Sequence, residues 1–233
     1  MQKTLRVSLT ATFAALHVVL YLLSFGLWRN WGIYLAPLEG IILGPETGFL
    51  SALIGSVAAR MIKPDAFWMF GVVAEPISVL MTGLLARGKW KPVLAAYVVM
   101  LVAYFIHPLG QTLPVWTILD ILLAALVLYP AAKISKKLYE QDATKLTIAL
   151  VLISFVCVAT DAIVRIFMLV PCGLHSIFFT SSDAFYAVFV AAAVDSYVED
   201  ILVVIVTLLV SVPLVVTISK SGFLKKMRKS ESL

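Results

Sequence analysis

Apolar runs of helix length recur between positions 5 and 219, separated by polar breaks at 28–32, 63–65, 87–92, 107–112, 133–145 and 171–183. A hydrocarbon layer about 30 Å thick is crossed by about 20 apolar residues in a helix, so each run is expected to be a membrane helix. The six breaks leave seven segments if 34–62 is one helix. That segment contains Gly44-Pro45. Proline removes a backbone donor and clashes with the preceding turn, so a kink or a full reversal is expected there. A reversal gives eight helices.

Charge decides between seven and eight, because Lys and Arg accumulate on cytoplasmic loops. With a reversal at Gly44-Pro45 and the N-terminus inside, one side collects Lys3 and Arg6; Arg87, Lys89 and Lys91; Lys133, Lys136, Lys137 and Lys145; and Lys220, Lys225, Lys226, Arg228 and Lys229, which is 14 of the 18 basic residues. Seven helices cannot put the Arg87 and Lys133 clusters on the side of the N-terminus. The expected architecture is therefore an all-α, polytopic transmembrane bundle of about eight helices with both termini cytoplasmic. One transmembrane domain covers 1–219 and a basic cytoplasmic tail covers 220–233. The second helix, about 31–43, is short and has to be tilted, shielded by protein or met by a thinned bilayer.

Composition excludes other classes. The hydrophobic set makes up 62% of 233 residues and charged residues 13%, against roughly 25% charged in a soluble domain. No soluble domain and no nucleic-acid-binding surface is expected, and the expected location is the cell membrane, crossed several times. There is no Walker A pattern, so an ATPase would have to be another chain. Cys157 and Cys172 are too few for a disulfide framework and read as small apolar fillers. The first run exceeds the usual h-region of a signal peptide and no good small-x-small cleavage site follows it, so a cleaved signal peptide is not expected. His17, His107 and His175 are scattered along the chain. No metal site, no cofactor and no enzymatic nucleophile constellation is expected.

In the eight-helix arrangement the acids sort by depth. Glu39, Asp65, Glu75, Asp120, Asp161, Asp183, Asp195, Glu199 and Asp200 lie in the outer half, facing only Arg29, Arg60, Lys63 and Arg165. Intramembrane carboxylates are costly and face a bundle interior or a wet cavity, so several at one depth point to a site open to the outside. Helix-to-helix pairing is the alternative, and Asp161 with Arg165 at i, i+4 forms an internal ion pair. The 28–32 loop offers a lid: Trp28 and Trp31 supply flat apolar faces and Asn30 a donor. Interfacial tryptophans also serve as plain membrane anchors.

Leu38-Glu39-Gly40-Ile41-Ile42-Leu43-Gly44-Pro45-Glu46-Thr47-Gly48, followed by Gly55, resembles the second and third helices of energy-coupling-factor (ECF) substrate-binding S components, which carry a Gly-Pro-x-x-Gly turn after a short helix. Gly44 permits the turn, Pro45 starts a helix at its first position, and Ser51, Gly55 and Ala59 leave a narrow face. Ala11 and Ala15 resemble the small-residue motif with which these subunits dock on a coupling protein, although small residues four apart also serve packing within one chain. The run to Met168-Leu169-Val170-Pro171 and a final helix from about residue 191 are similar to the fifth and sixth family helices. The departure is 92–134, which reads as a helical hairpin added to a six-helix core.

The resemblance implies a vitamin-uptake subunit that binds a water-soluble micronutrient from outside and is not itself an enzyme. Its implied partners are a transmembrane coupling protein and two cytoplasmic ATPases, with membrane lipid around it. The surplus of outer acids, with aromatic faces, favours a cationic, thiamine-like ligand. The expected binding residues are Trp28, Asn30, Trp31, Glu39, Glu75, Asp161 and Glu199. A proton-coupled secondary transporter is the alternative, and an intramembrane enzyme stands behind it.

Overall fold

The computed structural model describes residues 3–24, 30–135 and 143–220. Among them every regular element is helical: α1 (Lys3–Leu22), a 3-10 turn (Trp31–Tyr34), α2 (Ala36–Leu43), α3 (Pro45–Ile62), α4 (Trp68–Ala86), α5 (Trp90–Ile106), α6 (Pro108–Thr112) and a second 3-10 turn (Val115–Ile118). There follow α7 (Leu119–Ser135), α8 (Ala143–Leu169), α9 (His175–Phe178), α10 (Ser182–Val206), a π-helical turn (Thr207–Ser211) and α11 (Val212–Lys220). Among the described residues five stretches are long and apolar enough to cross a membrane: Thr4–Leu22, Trp68–Ala86, Val115–Ser135, Thr144–Leu169 and Ser182–Ile218. The chain is an all-helical membrane protein.

The short helix solves its problem by shielding. α2 has 8 residues, about 12 Å of helix at 1.5 Å per residue, far less than a bilayer. All of its residues are buried, packed between α3, α4 and α8. At its end Gly44 takes φ 85°, a left-handed conformation that glycine adopts without strain, and Pro45 opens α3. α4 lies directly against this turn: a Cβ on Gly83 would stand 2.5 Å from the Pro45 nitrogen.

α8 is the axis of the bundle, touching α4, α7, α10, α5, α11 and α2. One apolar core joins α4, α5, α7 and α8 to the start of α10 through Tyr97, Ile121, Val156, Ile163 and Phe185. A second, at the end where α4 and α7 finish, joins Phe13, Leu43, Ala86, Leu150 and Val215. The 92–134 hairpin is built into the first of these. Its Tyr97 is fully buried, with the hydroxyl 2.9 Å from Thr160 Oγ1 of α8.

One helix boundary departs from the pattern-based reading, and one helix carries an irregularity the pattern did not show. α10 begins at Ser182, not near 191, because the Ser181 hydroxyl accepts the Ala184 N–H at 3.2 Å and Asp183 sits in the first turn. Toward the other end the Val212 N–H reaches back five residues to the Thr207 carbonyl, just before Pro213, which has no N–H to give. A π-turn beside a proline absorbs the broken hydrogen-bond ladder. The expected basic tail beyond Lys220 lies outside the described residues.

The seat of α4 on the α2–α3 turn is testable. Gly83→Ala drives a methyl into backbone, which cannot swing aside, and should cost about 1–3 kcal/mol, the usual penalty of overpacking. Thermal unfolding of the detergent-purified protein should show a lower midpoint; an unchanged one would mean that α4 does not seat there.

Candidate functional site

A buried polar network ties α1, α2, α3, α4 and α8 together around Glu75. The Glu75 side chain has no exposure. Its Oε1 receives Arg60 Nη2 at 2.5 Å, Asn30 Nδ2 at 2.6 Å and Arg165 Nη2 at 3.4 Å. Its Oε2 receives Arg60 Nη1 at 3.1 Å and lies 2.9 Å from His17 Nε2. A carboxylate removed from water needs such a shell, since an isolated buried charge costs far more than any single hydrogen bond returns.

The network continues on both sides. The other ring nitrogen of His17 lies 3.5 Å from Glu39 Oε2, and Ser51 donates to Glu39 Oε1 at 2.9 Å. Arg165 is held one turn from Asp161, with Nε to Oδ2 at 2.6 Å and Nη2 to Oδ1 at 3.3 Å. Arg60 also donates to Ser56 and stacks over the Tyr21 ring at 5.0 Å, while the Tyr21 hydroxyl lies 2.8 Å from Asp65 Oδ2. Three glycines make the room. A Cβ on Gly71 would meet Arg60 Nη2 at 1.7 Å, one on Gly55 the His17 Cβ at 2.7 Å, and one on Gly32 His17 Nε2 at 2.8 Å.

Beside the network lies a cavity of about 160 Å³, at the end of the bundle where α8 finishes and α4, α7 and α10 begin. Its wall is largely apolar and carries Phe67 just before α4, Phe70 of α4, Phe179, and Phe185 and Phe189 of α10 among aliphatic side chains. The polar lining is Arg165 of α8, Thr117, Asp120 of α7, and Ser196 and Glu199 of α10, with Ser196 donating to Asp120 Oδ2 at 2.9 Å. The connection between α8 and α10 folds across this end. Phe178 packs on Phe67 at 5.1 Å and on Phe70 at 5.5 Å, Phe179 on Phe185 at 5.4 Å, and His175 on His107 at 6.0 Å. Aromatic pairs at these separations are individually modest but additive as a seam.

Of the residues expected to bind a ligand, Glu199 lines the cavity. Glu39, Glu75 and Asp161 belong to the network, and Asn30 is turned inward to Glu75 while its Oδ1 accepts the Gly32 N–H at 2.8 Å. Trp31 is half-buried at the start of the first 3-10 turn, and Trp28 lies outside the described residues. Ala11 and Ala15 are exposed on α1. The expected binding set did not contain His17, Ser51, Ser56, Arg60, Arg165 or Ser196, and Asp120 was counted among the outer acids without a place in it. A signal for His17 was present: Phe13, Ala14, His17 and Tyr21 share one helical face, and all four are buried. The histidines are also less scattered than their spacing implies, since His107 and His175 meet edge to face. Among the described residues no group of three or more potential metal ligands assembles.

No family model matches this sequence, and no solved structure matches it. It is similar to an uncharacterized protein of Methanocaldococcus jannaschii, with 28% identity over 129 residues, 54% of this chain and 43% of that protein. The matched region thus spans less than half of that relative's length.

Removing the central carboxylate should be severe. Glu75→Gln strands Arg60 and weakens the hold on His17 and Arg165, at about 3–5 kcal/mol, as for breaking a buried pair from one side. The double variant Glu75→Gln with Arg60→Gln should lose less than the sum of the two singles in chemical unfolding of the purified protein. Additive losses would separate the two residues energetically.

Proposed function

We propose that the chain is the substrate-binding membrane subunit of an ECF-type importer, which takes a water-soluble vitamin or related micronutrient from outside the cell. The observation that carries this reading is the small cavity at one end of the bundle, walled by aromatic rings and a few charged groups and crossed by the α8–α10 connection. Pockets of this make-up hold small molecules: apolar faces supply affinity and a few polar groups fix orientation. The charge asymmetry supports eight passes with both termini cytoplasmic, which turns the cavity end outward. The exposed positions of Ala11 and Ala15 support α1 as the face that docks on a transmembrane coupling protein driven by two ATPases. Membrane association in this reading is with the cell membrane.

A second reading draws on one observation, His17 between two buried carboxylates, Glu39 and Glu75. A histidine with an acid at each ring nitrogen can pass protons within a membrane, as a proton-coupled transporter requires.

Uptake assays separate the two. Ala11→Trp with Ala15→Trp should abolish cellular uptake and leave ligand binding by the purified protein intact; uptake surviving the bulky pair would remove the docking role. Proteoliposomes holding this chain alone should show no accumulation, whereas uptake collapsed by a protonophore would select the second reading. Orientation has its own check. In a Cys172→Ser background, cysteines at Thr112 and Ser182 should react with an impermeant reagent outside whole cells and one at Gln141 should not. Labelling at Gln141 would overturn the eight-pass arrangement.

A further inference from the structure

We infer that the cavity receives an uncharged molecule built on a single ring, held by contact with the phenylalanine wall and not by an ion pair. This deepens the reading of the cavity as a ligand site and rests on it.

What the cavity offers a ligand is apolar surface. Phe67, Phe70, Phe179, Phe185 and Phe189 bring their rings from the start of α4, the α8–α10 connection and α10, with aliphatic side chains between them. These rings are packed before any ligand arrives. Phe178 of the connection lies against both Phe67 and Phe70, and Phe185 stands between Phe179 at 5.4 Å and Phe189 at 5.6 Å. A wall already in place loses little freedom on binding.

The charged groups of the wall are engaged within the protein. Arg165 is held by Asp161 at 2.6 and 3.3 Å and by Glu75 at 3.4 Å. Glu199 and Asp120 present little surface, at 1% and 4% exposure. Glu199 stands within electrostatic reach of Arg165, and Asp120 accepts the Ser196 hydroxyl. Glu39, Glu75 and Asp161 stand outside the lining altogether, paired with His17, Arg60 and Arg165. An ionised ligand would therefore have to draw one of these groups from its present partner, or lie as an unmatched charge against an apolar wall, which is costly for either sign. A neutral ring asks for neither. Arg165 then serves as a flat surface, since a guanidinium whose charge is already met still lies well against a ring.

The space sets the size. A volume of about 160 Å³ is close to that of the apolar cavity of roughly 150 Å³ that takes up benzene. One ring with a short substituent fills it.

Three probes that share one ring test this on the purified full-length protein: benzyl alcohol is uncharged at neutral pH, benzylamine is a cation and benzoate an anion. Calorimetric titration, with protein-free micelles titrated in parallel to subtract partitioning into detergent, should show saturable binding of benzyl alcohol. Its affinity should exceed that of either ion at least roughly tenfold, the change that one weakened hydrogen bond to a charged group brings. Ala162→Leu and Ala193→Leu grow into the space from α8 and α10, and each should weaken benzyl alcohol binding at least roughly tenfold, because a close-packed wall cannot hold both the ring and the added carbons. A variant that loses the wild-type circular dichroism spectrum is set aside, and the three probes on the wild type then decide alone. A smaller preference for the alcohol, or a preference for either ion, would overturn the neutral ring. So would the absence of saturable binding by all three, and so would an alcohol affinity unmoved in both folded variants, which would put the ring elsewhere. None of these results touches the importer reading, which stands or falls on the uptake assays.

Discussion

A carboxylate with no water around it must be surrounded by donors, and Glu75 sets that requirement for half the bundle. Its two oxygens draw side chains from α1, α3, α8 and the segment before α2 onto α4. None of these donors lies within one turn of Glu75 in sequence, so the helices must stand in one arrangement before the charge is compensated. Apolar packing among lipid-like side chains discriminates weakly between alternative helix registers, because lipid tails compete for the same contacts. A buried, multiply satisfied charge discriminates strongly, since any shift leaves an ion unpaired in a low-dielectric medium. Register among α1, α3, α4 and α8 therefore follows from this one group more than from the leucines and valines around it.

The network and the cavity share a residue. Arg165 has its inner edge on Asp161 and Glu75 and its outer edge on the cavity. A rearrangement among the buried pairs would move the guanidinium, and a ligand on the guanidinium would feel the buried pairs. The physical path is short, one side chain, and runs along the helix that packs against α2, α4, α5, α7, α10 and α11. This is also why α8 can carry the site: it is the most enclosed of the membrane-length helices, so most of its side chains are fixed by packing.

Much of the fold was legible in the sequence because the bilayer imposes a length and an apolar composition on each helix. The break at Gly44-Pro45 was legible from backbone chemistry, its being a reversal from the distribution of basic residues, and the Asp161–Arg165 pair from helical spacing. The start of α10 was not, because Ser181 acts as a cap only once the preceding connection has turned back over the bundle. Membership of the site was harder. Glu39, Glu75, Asp161 and Glu199 look alike in sequence, each an acid in an apolar run, and what separates them is the neighbour brought from another helix. Arg60 lies fifteen positions before Glu75 and His17 lies in the first helix, separations at which spacing carries no information. Glu39 and Glu75, surplus by counting, are paired with His17 and Arg60, partners that the count could not assign.

The glycines beside the network give the chain an unusual kind of rigidity in evolution. At Gly55 and Gly71 the absent side chain is occupied by His17 and by the Arg60 guanidinium, so neither glycine can gain even a methyl while those residues keep their present positions. The polar residues are equally bound to the glycines, because without that space they would have no place beside Glu75. Substitution here has to occur in concert, or through an intermediate that has already given up the charge. Lipid-facing positions such as Val99, Leu126 and Leu209 are under no such coupling and are free to drift. Distant homologues would then differ over most of their surface yet keep a sparse signature of two vacant positions set against one histidine and one arginine, a pattern too thin for overall identity to register.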